Sequence, residues 1–247
     1  MPGMTGFTVW EIAALAGAAL GGATLAAISG FGGAAVLLPV LVAVFGVRDA
    51  VPILTVAQLV GNASRVWFNR HAVDGRVVVR FAAGGIPAGV AGSILFARAP
   101  LHVLTRLLGA FLIFIVARRC LRHRRPWKPS LRAFALIGAV SAFVSALVGS
   151  TGPLMAPLFL DYGLVKGAYI GTEALATVTM HTTKLIVYRQ ASVLSSTAIV
   201  DGLALAPLMI VGTWIGKRVV DRVSPGAFVV VIEITMVVAG VLFLARG

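Results

Sequence analysis

The chain has 247 residues, of which 59% are hydrophobic and only 12% are charged, and its mean hydropathy is +1.00. A soluble domain has roughly 45–50% apolar and about 25% charged residues, so this chain has too few charges to cover a surface that faces water. The net charge of +13 does not indicate a nucleic-acid partner, because the basic residues gather in short connectors between apolar runs. Such connectors are typical of cytoplasmic loops that face anionic lipid, and the composition therefore predicts a multi-pass membrane protein.

The first half of the chain contains five apolar runs. A helix needs about 20 apolar residues to cross the hydrocarbon core, and the first run, at about 9–29, is long enough. It ends at the glycine-rich stretch Gly30-Phe31-Gly32-Gly33, and the next run, at about 34–46, is too short to cross unaided. Three long runs follow, near 50–70, 76–97 and 101–117.

A basic connector, ARRCLRHRRPWKPSLR at residues 117–132, separates the two halves. It carries seven Lys or Arg residues and two prolines, and it is the only obvious boundary in the sequence. It also contains the single cysteine, Cys120, which cannot form an internal disulfide. The sequence has no CxxC pair, so it predicts no metal site.

The second half repeats the pattern of the first. A run at about 132–148 ends at the stretch GSTGP, residues 149–153, and is followed by a short run at about 154–163 and long runs near 166–189, 195–217 and 225–245. Segments also match in order: GFGGAAVLLP with GSTGPLMAP, FGVRDA with YGLVKGA, NASRVWFNR with HTTKLIVYR, and PAGVAGS with PLMIVGT. We therefore predict an internal duplication, with repeats at 1–116 and 133–247.

The distribution of Lys and Arg predicts the orientation of the repeats. No Lys or Arg precedes Arg48, so the N-terminus is predicted outside, whereas the connector at 117–132 is predicted to be cytoplasmic. Arg189 is the one exception to this arrangement. An odd number of segments per half inverts the second repeat and places the C-terminus outside as well. The predicted fold is thus an all-α membrane protein of two inverted-topology repeats, each with a broken or short helix followed by three long helices, as in many secondary transporters.

The two glycine-rich breaks predict a binding site near the middle of the membrane. Broken helices are tolerated there only where protein or water covers the free backbone, and matched breaks are the best sequence indication of a transporter's site. The short helix after each break begins with free N–H groups and a positive dipole end, which favours an anion. The predicted contacts are Gly30, Phe31, Gly32, Gly33, Gly149, Ser150, Thr151 and Gly152. Close packing of helices through small residues is the alternative explanation.

Two polar stripes occupy matched positions in the third segment of each half. Each follows the spacing i, i+4, i+7, i+11 of one helical face: Gln58, Asn62, Arg65 and Asn69, and then Thr177, His181, Lys184 and Tyr188. An ionisable residue inside the bilayer indicates function, so Arg65 and Lys184 are predicted to contact an anion. The alternative is that both side chains extend to the membrane interface. His181 is a ligand contact, a proton carrier or a buried imidazole with satisfied hydrogen bonds.

Three acidic residues lie within the later segments, namely Glu173, Asp201 and Glu233. They are candidates for carrying coupling protons, or they neutralise neighbouring cations such as Arg106 or Lys184. The sequence contains no HExxH motif, no GxSxG motif, no P-loop and no acidic pair at a defined spacing. It therefore predicts neither an enzyme nor a cofactor.

The chain resembles the TauE/SafE family of sulfite exporters over nearly its whole length, from about Ala14 to Leu244. Three blocks carry the resemblance: GFGGAAVLLPVLVAVFGVRDAV, VDGRVVVRFAAGGIPAGVAGSILF and VGSTGPLMAPLFL. The resemblance implies a bacterial plasma-membrane permease for small sulfur oxyanions or organosulfonates, such as sulfite or sulfoacetate. The second glycine motif, GSTG, is more polar than the first, so the two breaks are expected to contact a substrate unequally.

Together these features predict an alternating-access transporter that exports a small oxyanion through a site between the two breaks. An anion channel would use the same half-helix dipoles and cations. A membrane scaffold would use the stripes only for hydrogen bonds between helices. The expected partners are the anion, the lipid bilayer and a coupling proton, and the sequence favours no particular oligomeric state.

Overall fold

A computed structural model describes residues 8–100, 103, 128–222 and 224, which contain only helices and connecting turns. The all-α prediction is therefore confirmed for these residues. The helices are α1 (Val9–Ser29), α2 (Gly33–Asn69), α3 (Gly75–Arg98), α4 (Ala133–Val148), α5 (Gly152–Tyr162), α6 (Lys166–Gln190), α7 (Ser196–Ala204) and α8 (Ala206–Arg222). The predicted runs at 101–117 and 225–245, with Arg106 and Glu233, and most of the connector lie outside the described residues.

Four helical stretches are long and apolar enough to cross a membrane: Val9–Ser29, Gly33–Ala72, Gly75–Arg98 and Ser196–Arg222. They support a multi-pass membrane protein. Helix α6 is also long enough but is not among the four, because its polar stripe interrupts the apolar sequence. Its stripe residues are buried inside the protein, which explains how such a polar helix is accommodated.

Both predicted breaks are present as left-handed glycines at helix ends. Helix α1 ends at Gly30 (φ 79°), and α2 begins after Gly32 (φ 101°). In the second half α4 ends at Gly149 (φ 88°), and α5 begins at Gly152. Glycine is required at these positive φ values because a Cβ atom would be strained there.

Two further interruptions follow from single residues. Gly46 (φ 76°, ψ 163°) divides α2 into residues 33–45 and 47–69, so the predicted boundary between the short and long runs is a one-residue kink. The predicted run at 195–217 is divided by a turn at Leu205 into α7 and α8. Pro207 explains this turn, since its ring crowds the preceding helical turn and its nitrogen donates no hydrogen bond.

Glycines allow two pairs of helices to pack closely, α3 against α4 and α1 against α8, while α2 packs along α6. A Cβ atom on Gly92 would lie 2.7 Å from the carbonyl oxygen of Phe143, and one on Gly216 would lie 2.5 Å from that of Thr24. Each pair is parallel, because the contacts advance along both helices in the same direction. They run from Gly84–Ala135 to Gly92–Phe143 in one pair and from Gly212–Leu20 to Gly216–Thr24 in the other.

We expect Gly212→Ala to destabilise the protein by about 1–3 kcal/mol, the usual cost of overpacking. The added methyl group would lie 2.5 Å from the carbonyl oxygen of Leu20, and backbone cannot rotate away as a side chain can. Thermal unfolding of the purified protein in detergent measures the change. Gly17→Ala is the matched control, because nothing lies within 4 Å of a Cβ atom there. Equal melting temperatures for the two variants would contradict the proposed packing.

Candidate functional site

The two helix breaks meet and enclose a small cavity. A Cβ atom on Gly152 would lie 2.6 Å from the Cβ atom of Phe31, so the two breaks are in direct contact. The cavity encloses about 30 Å³, whereas one water molecule needs roughly 10–15 Å³. It is therefore large enough for a species of a few heavy atoms.

All of the predicted substrate contacts except Lys184 line this cavity. They are Gly30, Phe31, Gly32 and Gly33, with Gln58, Asn62 and Arg65 from α2, then Gly149, Ser150, Thr151 and Gly152, with Thr177 and His181 from α6. Glu173 lines it as well. The sequence pattern predicted these residues together because matched breaks and matched stripes were expected to face one another across the repeats.

Side-chain donors occupy the carbonyl groups at the end of α1. The guanidinium Nη1 of Arg65 donates to the carbonyl oxygens of Gly30 (2.7 Å) and Ala26 (3.3 Å). The hydroxyl of Tyr169 donates to the carbonyl of Ser29 (3.0 Å), and the hydroxyl of Ser29 donates to that of Phe31 (2.6 Å). Four carbonyl groups around the first break thus accept hydrogen bonds from protein side chains.

The second break shows the same arrangement with different residues. Lys184 donates from Nζ to the carbonyl oxygen of Ser145 at 3.4 Å, and the Tyr188 hydroxyl donates to that of Ala146 at 2.6 Å. The Thr151 hydroxyl donates to the carbonyl of Ser141 (3.3 Å), so it is already engaged within the protein. Ser150, the other predicted hydroxyl donor of this break, also lines the cavity. Its hydroxyl makes no hydrogen bond among the described contacts.

The residues whose backbone N–H groups are freed by the breaks, by contrast, line the cavity. The first backbone bond of α2 runs from the Val36 N–H to the Gly32 carbonyl (3.1 Å), which leaves the N–H groups at the start of this helix without an intrahelical partner. Gly33 and Ala34, from this first turn, line the cavity. Helix α5 offers fewer N–H groups, because a proline follows Gly152 at its start. The cavity is therefore rich in donors, and more so at the first break.

Arg65 and Glu173 form a buried ion pair across the interface of α2 and α6. Arg65 Nη1 lies 3.0 Å from Glu173 Oε2, and the two side chains are 5% and 3% exposed. Arg65 also donates from Nη2 to Asn62 Oδ1, and the Thr177 hydroxyl donates to Glu173 Oε1 (2.9 Å). Arg65 therefore does not extend to the interface, and Glu173 neutralises Arg65 rather than Lys184.

Lys184 is fully buried and is not among the residues that line the cavity. Its ammonium Nζ donates to the hydroxyl oxygen of Ser145 at 3.1 Å, and Ser145 does line the cavity. Sequence reasoning missed Ser145, because this serine lies in an otherwise apolar run. One signal was available: Ser145 stands as many residues before Lys184 as Ala26 stands before Arg65.

Two polar atoms on the cavity wall have no hydrogen-bond partner among the described residues. They are Nε2 of Gln58, which lies beside the start of α2, and Nδ1 of His181. Both side chains are buried, and a buried polar group without a partner is costly. These two atoms are where a bound polar ligand would gain most.

The remaining candidates lie apart from the cavity. Asp201 is buried on α7 and does not line the cavity, and Glu233 lies outside the described residues. Ala26, Ala34, Met155 and Met180 complete the wall, and the sequence pattern gave no polar signal for them. Within the described ranges no group of His, Cys, Asp or Glu is arranged to hold a metal ion.

Comparison with known families agrees with the resemblance seen in the sequence. The model of the family described as "Sulfite exporter TauE/SafE" matches residues 13–243, which is nearly the whole chain. The chain therefore belongs to this family, whose members are transporters and not enzymes. No curated protein and no solved structure matches the chain.

We expect Glu173→Ala to lower the free energy of unfolding by about 3–5 kcal/mol, because it leaves Arg65 buried without its counter-ion. Unfolding of the purified protein in detergent measures the loss. Asp221→Ala is the matched control, since it removes the carboxylate of an exposed pair with Lys217 that is worth about 0–1 kcal/mol. If both variants unfold alike, Arg65 does not depend on Glu173.

Proposed function

We propose that this family member exports a small sulfur oxyanion or organosulfonate, such as sulfite or sulfoacetate, across the bacterial inner membrane. The transport mechanism is alternating access, with the substrate bound in the cavity between the two breaks. One observation carries the proposal: the free N–H groups of the broken helices and both polar stripes converge on the same small cavity.

The chemistry of the cavity suits an oxyanion. Helix N-termini supply N–H groups and the positive end of a dipole, and the carbonyl groups that would repel an anion are bonded to Arg65, Lys184 and two tyrosines. The amide Nε2 of Gln58 adds a donor, and the imidazole of His181 supplies another from whichever ring nitrogen carries a proton. The volume of about 30 Å³ favours a compact anion over a larger organic one.

The pairing of helices supports two inverted repeats, residues 1–116 and 133–247, joined by the connector at 117–132. If each helix is replaced by its counterpart in the other half, the pair α3–α4 becomes the pair α8–α1, and the pair α2–α6 becomes itself. The cavity lies on that last pair, at the interface between the repeats. Sites at a repeat interface are accessible from either side when one repeat rocks against the other.

Parallel packing also supports the proposed orientation. Because α3 and α4 are parallel, their basic starts, near Arg76 and Arg132, lie toward the same side. Basic residues favour the cytoplasm, so this side is assigned as cytoplasmic, as is the connector. The N- and C-termini are then both outside.

We expect Gln58→Met and His181→Phe to lower sulfite flux into liposomes by roughly tenfold or more. A hydrogen bond to a charged group is worth about 1.5–3 kcal/mol, and each 1.4 kcal/mol is tenfold in affinity. Asn69→Ala is the control on the same stripe: Asn69 is buried but does not line the cavity. Each variant must first show an unchanged melting temperature without substrate.

Wild-type flux in both cavity variants would contradict the site assignment. The same liposomes separate a carrier from an anion channel. Saturable flux and acceleration by substrate on the opposite side indicate a carrier, whereas very fast flux without exchange indicates a channel.

A further inference from the structure

The charges beside the cavity do not cancel. Arg65 and Glu173 form an ion pair at 3.0 Å and together contribute no net charge. Lys184 is fully buried, and the hydrogen bonds of its ammonium go to the neutral residue Ser145. Among the described residues no carboxylate lies within ion-pair distance of Lys184. The ammonium form of Lys184 therefore has no counter-ion in the described structure, and an anion bound in the cavity would stabilise it.

Ser145 connects this charge to the cavity. Its hydroxyl oxygen accepts from Lys184 Nζ at 3.1 Å, and the residue lines the cavity wall. A hydroxyl that accepts from an ammonium still has its own proton to donate, so Ser145 can present a polarised O–H group to a ligand. In the first repeat, Ala26 takes the position of Ser145 and offers Arg65 only a carbonyl (3.3 Å).

His181 is the remaining titratable side chain of the cavity wall. Tyr169 does not line the cavity but lies near Glu173 and Arg65. His181 precedes Lys184 by one helical turn and also lies near Arg65. A proton on its imidazole would place a third positive charge beside two others in a buried region. We therefore take the imidazole of His181 as neutral. Lys184 then supplies the one uncompensated positive charge among the described residues beside the cavity.

We infer that the cavity selects singly charged oxyanions. Lys184 is their counter-ion, Ser145 is the positioning residue between them, and Glu173 sets the preference by cancelling the charge of Arg65. A monoanion makes the occupied site neutral, whereas a dianion leaves one negative charge buried without a partner. This inference rests on the proposed function and adds the charge class of its substrate: hydrogen sulfite, with one negative charge, fits it, whereas sulfoacetate, with two, does not.

Methanesulfonate and sulfate test this inference, because both have a tetrahedral sulfur and five heavy atoms but carry one and two negative charges. Neither ion titrates near neutral pH. We expect the purified full-length protein in detergent to bind methanesulfonate at least tenfold more tightly than sulfate, by calorimetry or ligand-induced thermal shift.

Glu173→Gln provides the second arm of the experiment. It keeps the shape of the side chain but leaves the charge of Arg65 without its counter-ion. The preference for methanesulfonate over sulfate should therefore fall at least tenfold. Comparing the same two ligands in both proteins cancels their difference in oxygen number. Asp201→Asn is the matched control, since it neutralises a buried acid that does not line the cavity. Glu233→Gln tests the third acidic residue that the sequence places within the later membrane segments.

Each outcome decides a separate point. Equal or tighter binding of sulfate by the wild-type protein would overturn the inferred charge class, even if Glu173→Gln does not fold. An unchanged preference in Glu173→Gln, or the same change in Asp201→Asn or Glu233→Gln, would overturn the role of Glu173. If the wild-type protein binds neither anion, the proposed function fails together with the inference.

Discussion

The structure depends on one constraint: a helix broken inside a membrane must have its free backbone groups satisfied by protein or ligand. At both breaks the carbonyl groups and the N–H groups are treated differently. Carbonyl groups at the ends of α1 and α4 accept hydrogen bonds from Arg65, Lys184, Tyr169 and Tyr188. No side chain caps the N–H groups of Gly33 and Ala34 at the start of α2 or of Gly152 at the start of α5, and these three residues line the cavity. Because side chains occupy these carbonyl groups while the N–H groups remain uncapped, we expect the cavity to favour a negative ligand.

The same constraint explains the rest of the packing. Arg65 and Lys184 can reach carbonyls of α1 and α4 only if both stripes face the protein interior, and this requires α2 and α6 to lie together with the other helices around them. Arg65 then needs a buried counter-ion, which α6 supplies as Glu173. Glycines on the surrounding helices, such as Gly92 and Gly216, allow backbones to approach until side chains would overlap carbonyl groups. The glycine content of the chain thus serves two purposes, breaks at positive φ and close helix contacts.

Periodicity and duplication made most of the candidate site predictable. A stripe at i, i+4, i+7 and i+11 defines a helical face, and two matched stripes with two matched breaks define the faces that meet. Periodicity does not identify the partner of a charge, however. The pairing of Glu173 with Arg65 rather than Lys184 depends on the relative position of α2 and α6, which no local pattern encodes. Ser145 escaped notice because a lone serine in an apolar helix usually bonds to its own backbone. Pro207 could have indicated the turn at Leu205, but the apolar residues on both sides of it suggested one continuous helix.

The asymmetry between the halves is as informative as their likeness. In the proposed repeats Leu54 stands at the position in α2 that corresponds to Glu173 in α6, so only one of the two halves carries the acid. The resulting ion pair joins a residue of the first proposed repeat to one of the second. A rocking motion that separated this pair inside the membrane would leave two uncompensated charges in a medium of low dielectric constant, which is far more costly than a rotation about it. We therefore expect the repeats to rock about a line near Arg65 and Glu173, with the cavity beside that line opening alternately to each side.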